Sequence, residues 1–216
     1  MRSDSDIRKD VEAELKWAPD VDETDLAVKV QDGQVTLTGF VNDYFGRYQS
    51  EVAAKRIVGV TAVANDVQVR PFTGAPTDPE IARAALTALK FALPLSHEAV
   101  KVIVHEGKVT LEGKLEWNFQ RDVAESAVRR LSGVTSVFNL VSLEPKAAPR
   151  DIKKKIEAAF QRIAQVDAGR ITVDTQGSDV TLRGEVRSWA EHDQAQQTAW
   201  AAPGVRNVRN EIQVRV

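Results

Sequence analysis

The chain has 216 residues, 43% hydrophobic and 28% charged, the make-up of an ordinary globular protein. It contains no cysteine, which excludes disulfides, thiolate nucleophiles and cysteine-based metal sites. Its formal charge of -2 gives no strongly basic face, so nucleic acid is not an expected partner.

The first expected element is an amphipathic helix, because Ile7, Val11 and Leu15 lie four apart and make one apolar stripe. Asp4 or Ser5 suits its N-cap. Leu26, Val28 and Val30 then alternate, followed by Val35 and Leu37, which is the period of two half-buried strands. Asp32-Gly33 between them suits a two-residue hairpin turn, with positive φ at Gly33. Gly39 marks a bend or a close backbone approach. A second helix is expected over 44–58, ended by Gly59 at the C′ position. A last strand carries Val60, Val63, Asn65, Val67 and Val69.

The same series occurs twice more. The helix stripes are Ile81, Ala85, Leu89 and Ile152, Ile156, Phe160, with Thr77 or Asp78 and Arg150-Asp151 before them. The hairpins turn at Glu106-Gly107 and Gly177-Ser178, and Gly113 and Gly184 follow. Second helices over 118–132 and 189–202 end at Gly133 and Gly204, and Asn139 and Asn210 sit in the last strands. Motif positions shift by 74 (39 to 113, 59 to 133, 65 to 139) and then by 71 (113 to 184, 133 to 204, 139 to 210). A constant offset across separate motifs makes the chain three homologous modules, 1–72, 73–146 and 147–216. The expected fold is α+β: three tandem α-β-β-α-β modules, each a three-stranded sheet packed against two helices. A module of this size buries only roughly 60% of its unfolded surface, so each is expected to lean on its neighbours. Pro71–Pro76 and Glu144–Pro149 are short proline-containing linkers, expected to be semi-stiff.

The G-x-V-T-L-x-G core and the G-V-x-x-V-x-N-x-V close, in the order α-β-β-α-β, resemble the BON domain family. Stretches such as Glu116-Trp117-Asn118-Phe119-Gln120-Arg121 and Ser188-Trp189-Ala190-Glu191 are similar to triple-BON stress proteins. The resemblance implies a non-enzymatic bacterial protein of osmotic or envelope stress that binds phospholipid. It equally allows a protein-interaction scaffold or a small-ligand or ion sensor. Neither the motifs nor the resemblance requires a cofactor. The best-known family members are exported. This chain opens on Met1-Arg2-Ser3-Asp4-Ser5-Asp6, without an apolar export segment, and has no transmembrane stretch. The expectation is a cytoplasmic protein, peripheral at the inner membrane.

No candidate catalytic residue emerges. His97, His105 and His192 lack metal-ligand spacing, and neither a nucleophile elbow nor a phosphate loop is present. The repeated glycines and asparagines read as structural residues. Residues 1–72 carry 9 cationic and 13 anionic side chains, 73–146 carry 9 and 9, and 147–216 carry 11 and 9. The third module is therefore the only positive one, and Arg150, Lys153, Lys154, Lys155 and Arg162 form its candidate face for anionic phospholipid or a protein partner. Trp17 aligns with Phe91 and Arg162, and Trp189 with Tyr44 and Asn118. Trp200 aligns with Lys55 and Arg129, so its side chain is expected outside its own core, covering another module or offering a contact surface.

Overall fold

The computed structural model describes residues 2–70, 74–144, 151–163 and 169–215. Module one runs α1 (Asp4–Trp17), β1 (Leu26–Gln31), β2 (Gln34–Val41), α2 (Tyr44–Lys55) and β3 (Ala62–Val69). Module two runs α3 (Asp78–Ala92), β4 (Val100–His105), β5 (Lys108–Leu115), α4 (Asn118–Arg129), β6 (Ser136–Asn139) and β7 (Ser142–Leu143), with one 3-10 turn (His97–Ala99) before β4. Module three runs α5 (Ile152–Arg162), β8 (Ile171–Gln176), β9 (Asp179–Val186), α6 (Trp189–Trp200) and β10 (Asn207–Val214). Arg150 and the linker residues 71–73 and 145–149 lie outside the described residues.

Each sheet has its second strand in the middle, antiparallel to the first and parallel to the last. The second helix is the crossover that a parallel pair requires. In module two the last strand is in two pieces, β6 and β7, and the Leu140 N–H bond to Leu111 O, 2.8 Å long, carries the ladder between them. The first-helix stripes are buried as the four-residue spacing predicts, and they meet Val35 and Leu37, Val109 and Leu111, or Val180 and Leu182 from the central strands. Three separate cores result, one per module.

The asparagine of each last strand ties that strand to the second helix. Asn65 Nδ2 donates to Arg47 O at 2.9 Å, while its Oδ1 accepts from Val67 N at 3.3 Å. Asn139 repeats this with Arg121 O and Val141 N, and Asn210 with His192 O and Ile212 N. A side chain that satisfies backbone groups of two elements at once fixes their spacing.

The hairpins of modules one and two have positive φ at both turn residues: 52° and 74° at Asp32-Gly33, 52° and 72° at Glu106-Gly107. That is the turn whose twist matches paired strands. Asp4 does not cap α1; Ser3 does, accepting from Asp6 N. Asp4 instead receives the N–H groups of Asp32 and Gly33 at 2.8 and 3.0 Å, and Asp78 receives those of Glu106 and Gly107. These two bonds hold the Asp78 carboxyl below its ordinary value. Module three has Pro149 at this position, and its turn differs: Gly177 has φ +62° and Ser178 is not left-handed. A β-carbon at Gly33 would stand 2.8 Å from Gly59 O. Gly33→Val should therefore cost about 1–2 kcal/mol through left-handed strain and this contact. A urea midpoint equal to that of the parent would contradict the turn.

The second helices are shorter than expected. They end at Lys55, Arg129 and Trp200, not at 58, 132 and 202. Gly59, Gly133 and Gly204 are accordingly not C′ residues. Each lies in a separate turn beyond the helix, closed by bonds such as Val60 N to Ile57 O. Gly59 and Gly133 let Ile7 and Ile81 pack within 3 Å of where a β-carbon would be. Gly39, Gly113 and Gly184 sit against the carbonyls of Asp25, Ala99 and Arg170, the close backbone approach expected of them.

Candidate functional site

The three second helices meet. Asp43 caps α2 through Gly46 N, Ser188 caps α6 through Glu191 N, and Gln120 Oε1 accepts from Trp117 N at the start of α4. These caps place Tyr44, Asn118 and Trp189 at equivalent first positions of the helices.

Each start faces the end of another helix. Tyr44 packs on the core of module two, and burial pushes its phenol above the ordinary value. The Arg129 guanidinium lies 3.6 Å from the Tyr48 ring, and Arg130 lies 4.0 Å from Phe45. The start of α4 faces the end of α6: Arg121 stands 4.8 Å over the Trp200 ring. The start of α6 faces the end of α2: Trp189 packs on the core of module one, with the Lys55 ammonium 5.2 Å from its ring. Module one thus meets two, two meets three, and three returns to one. The junction is a closed cycle built from cation–π contacts and long side chains. Between the helices lies a polar cavity of about 340 Å³, reached by Tyr48, Arg121, Glu125, Arg129, Gln196 and Trp200.

Trp200 is half-buried and packs on the cores of both module three and module two. It covers a neighbouring module, but it also packs on the core of its own, where the alignment with Lys55 and Arg129 placed it outside. Lys153, Lys154, Lys155 and Arg162 are exposed on α5, and Lys153 reaches Glu157 at 3.9 Å. Lys155 and Arg162 border a groove of about 600 Å³ between α5 and α6, floored by Ala158, Ala159, Ile163 and Ala202. Trp200 is not part of that groove, so the candidate residues divide between two places. The Asn118 Nδ2 bonds Asp122 at 2.8 Å, and burial pushes the Asp122 carboxyl up. His192 meets Asp193 at 2.9 Å and the edge of Trp189 at 4.8 Å. Among the described residues, no three His, Asp or Glu side chains gather as a metal site. No described helix is long and apolar enough to cross a membrane.

Aligning positions 55, 129 and 200 leads to a contact of Trp200 beyond its own module, but not to the cycle. The signal was present: aromatic residues start two of the helices, and cations end two of them.

The architecture defines a tandem array of small α+β modules joined at their crossover helices. The BON domain model matches residues 3–71, 77–145 and 150–216, and the chain belongs to the BON domain family. Osmotically-inducible protein Y of Escherichia coli (strain K12) is 33% identical over 144 residues, covering 63% of this chain and 70% of that protein. Solved structures with some likeness include CdsD, a structural protein of the type III secretion system of Chlamydia trachomatis. It is 14% identical at a TM-score of 0.27, over 97% of this chain and 92% of that one. The PrgH periplasmic domain is 11% identical at a TM-score of 0.23, over 88% and 95%. Scores this low carry no functional argument.

Proposed function

We propose that this is a non-enzymatic, osmotic-stress-associated protein that docks reversibly on anionic membrane surfaces. The stress association follows from its likeness to the osmotically inducible protein. The docking reading is carried by one observation: Lys153, Lys154, Lys155 and Arg162 are exposed together on α5 of the only positive module. Arg150, just before that helix in sequence, adds to the same charge. Each cation near an anionic surface contributes about 1 kcal/mol. Trp17 and Phe91 hold the position of Arg162 in the other modules and are 83% and 81% exposed. Aromatic and cationic side chains are the groups that settle at a membrane interface. Module one, with 9 cations against 13 anions, opposes attachment, so docking is led by module three. The chemistry is the same on either side of a membrane.

Co-sedimentation with vesicles tests this. Vesicles containing phosphatidylglycerol should bind the protein at low salt and release it at high salt, because screening acts over about 8 Å at physiological strength. Changing Lys153, Lys154 and Lys155 to glutamate should weaken binding by about 100-fold or more. Binding that resists both salt and these changes would disprove docking through α5. Absence of binding to every vesicle would favour a protein-interaction scaffold.

A further inference from the structure

Where α4 begins and α6 ends, Trp117, Phe119 and Trp200 border one groove of about 500 Å³. Its polar lining is Asn118, Asp122 and Gln197, with no lysine, arginine or histidine among them. Arg121 covers Trp200 from the adjoining cavity and does not line this groove. Asn118 is only 8% exposed, and its amide donates to Asp122, which fixes which way its oxygen points. That oxygen, Oδ1, has no hydrogen-bond partner. Phe119 is 61% exposed although it is a large apolar side chain.

The groove therefore presents three aromatic rings and one carboxylate, with Arg121 and Arg129 of the adjoining cavity as the cations nearest that carboxylate. Aromatic rings attract cations through their quadrupole, most usefully cations that water solvates poorly. A metal ion would need several oxygen ligands in a shell, which one carboxylate and two amides do not form. An alkylated ammonium group needs aromatic faces and one counter-charge. The volume lies within the range of small-molecule sites. We propose that this groove is a binding site for a small free organic cation of the alkylammonium class, held by Trp117, Phe119 and Trp200 with Asp122 as counter-ion. This goes beyond membrane docking and uses none of the α5 lysines.

The test uses the full chain. Choline and tetramethylammonium are titrated while tryptophan fluorescence and heat release are followed. The neutral isostere 3,3-dimethylbutan-1-ol, sodium chloride and phosphatidylcholine vesicles are run in parallel. Saturable binding of both cations, and none of the isostere or of sodium, is expected. Phe119→Ala should weaken binding about tenfold, the value of losing one well-placed aromatic contact. Asp122→Asn should weaken it comparably while keeping the shape of the groove, so the test survives if the first variant fails to fold. Equal binding of the isostere, unchanged affinity in Asp122→Asn, or a response to phosphatidylcholine vesicles without one to free choline would each overturn the proposal. Phosphatidylglycerol vesicle binding through α5 would stand or fall separately.

Discussion

Replacing Gly113 with alanine should destabilise module two by about 3–5 kcal/mol, the range of the most damaging single substitutions. Gly113 has φ +139°, a backbone region that L side chains rarely adopt. An added β-carbon would stand 2.0 Å from Ala99 O, and Ala99 leads directly into β4. Backbone cannot give way as a flexible side chain can, so β4 must separate from β5. The pair Val100–Gly113 opens that ladder, and Val100 is in the core. A module of about 70 residues holds only about 4–10 kcal/mol in total, so one residue removes a large part of it. Gly74→Ala supplies the contrast: its φ is +89°, yet an added β-carbon would meet nothing within 4 Å. That variant should lose about 1 kcal/mol at most. Chemical denaturation of the full chain, with hydrogen exchange assigning the loss to β4 and β5, separates the two. Similar midpoints for both variants would contradict the close approach.

What the sequence makes legible is what repeats. Three copies at constant offsets carry the stripe Ile7, Val11, Leu15 and its counterparts, the alternation of Val35 and Leu37, and the turn glycines. These are determined inside each module, and the structure has them where expected. The helix ends differ from the expectation because Gly59, Gly133 and Gly204, which suit helix terminators, each belong to a separate turn beyond the helix. Acidic residues suit helix starts, yet Asp4 does not cap α1. Its partners, the N–H groups of Asp32 and Gly33, come from a hairpin 28 and 29 residues away. The junction was the least legible part. Aligning three copies asks what a position does within its own module, whereas Tyr44, Lys55, Arg129 and Trp189 act on another. The groove beside Phe119 belongs to the same class: it needs the start of one module's helix and the end of the next.

Replacing Trp200 with alanine should uncouple module three from module two while leaving both folded. Trp200 touches the cores of both and receives Arg121 on its ring. A fully buried tryptophan costs about 3–5 kcal/mol on truncation, and this one is half-buried, so about 2 kcal/mol is expected. The junctions are thin: the closest packing of elements is within modules, and side chains bridge between them. Such an interface has little to spare. Losing one of three contacts leaves the cycle open at one joint, and the 3-to-1 contact of Trp189 with module one then carries module three alone. Thermal unfolding should change from one coupled transition towards two, with module three separating first. Small-angle scattering should show a larger radius of gyration. Trp200→Arg is the more telling variant, since Arg129 is the natural residue at that position in module two. It keeps a long side chain over module two but puts a second cation beside Arg121, so the joint should open as it does for alanine. If Trp200→Arg instead kept a single transition and the parent dimensions, length alone would hold the joint, and the cation–π account of the cycle would be wrong.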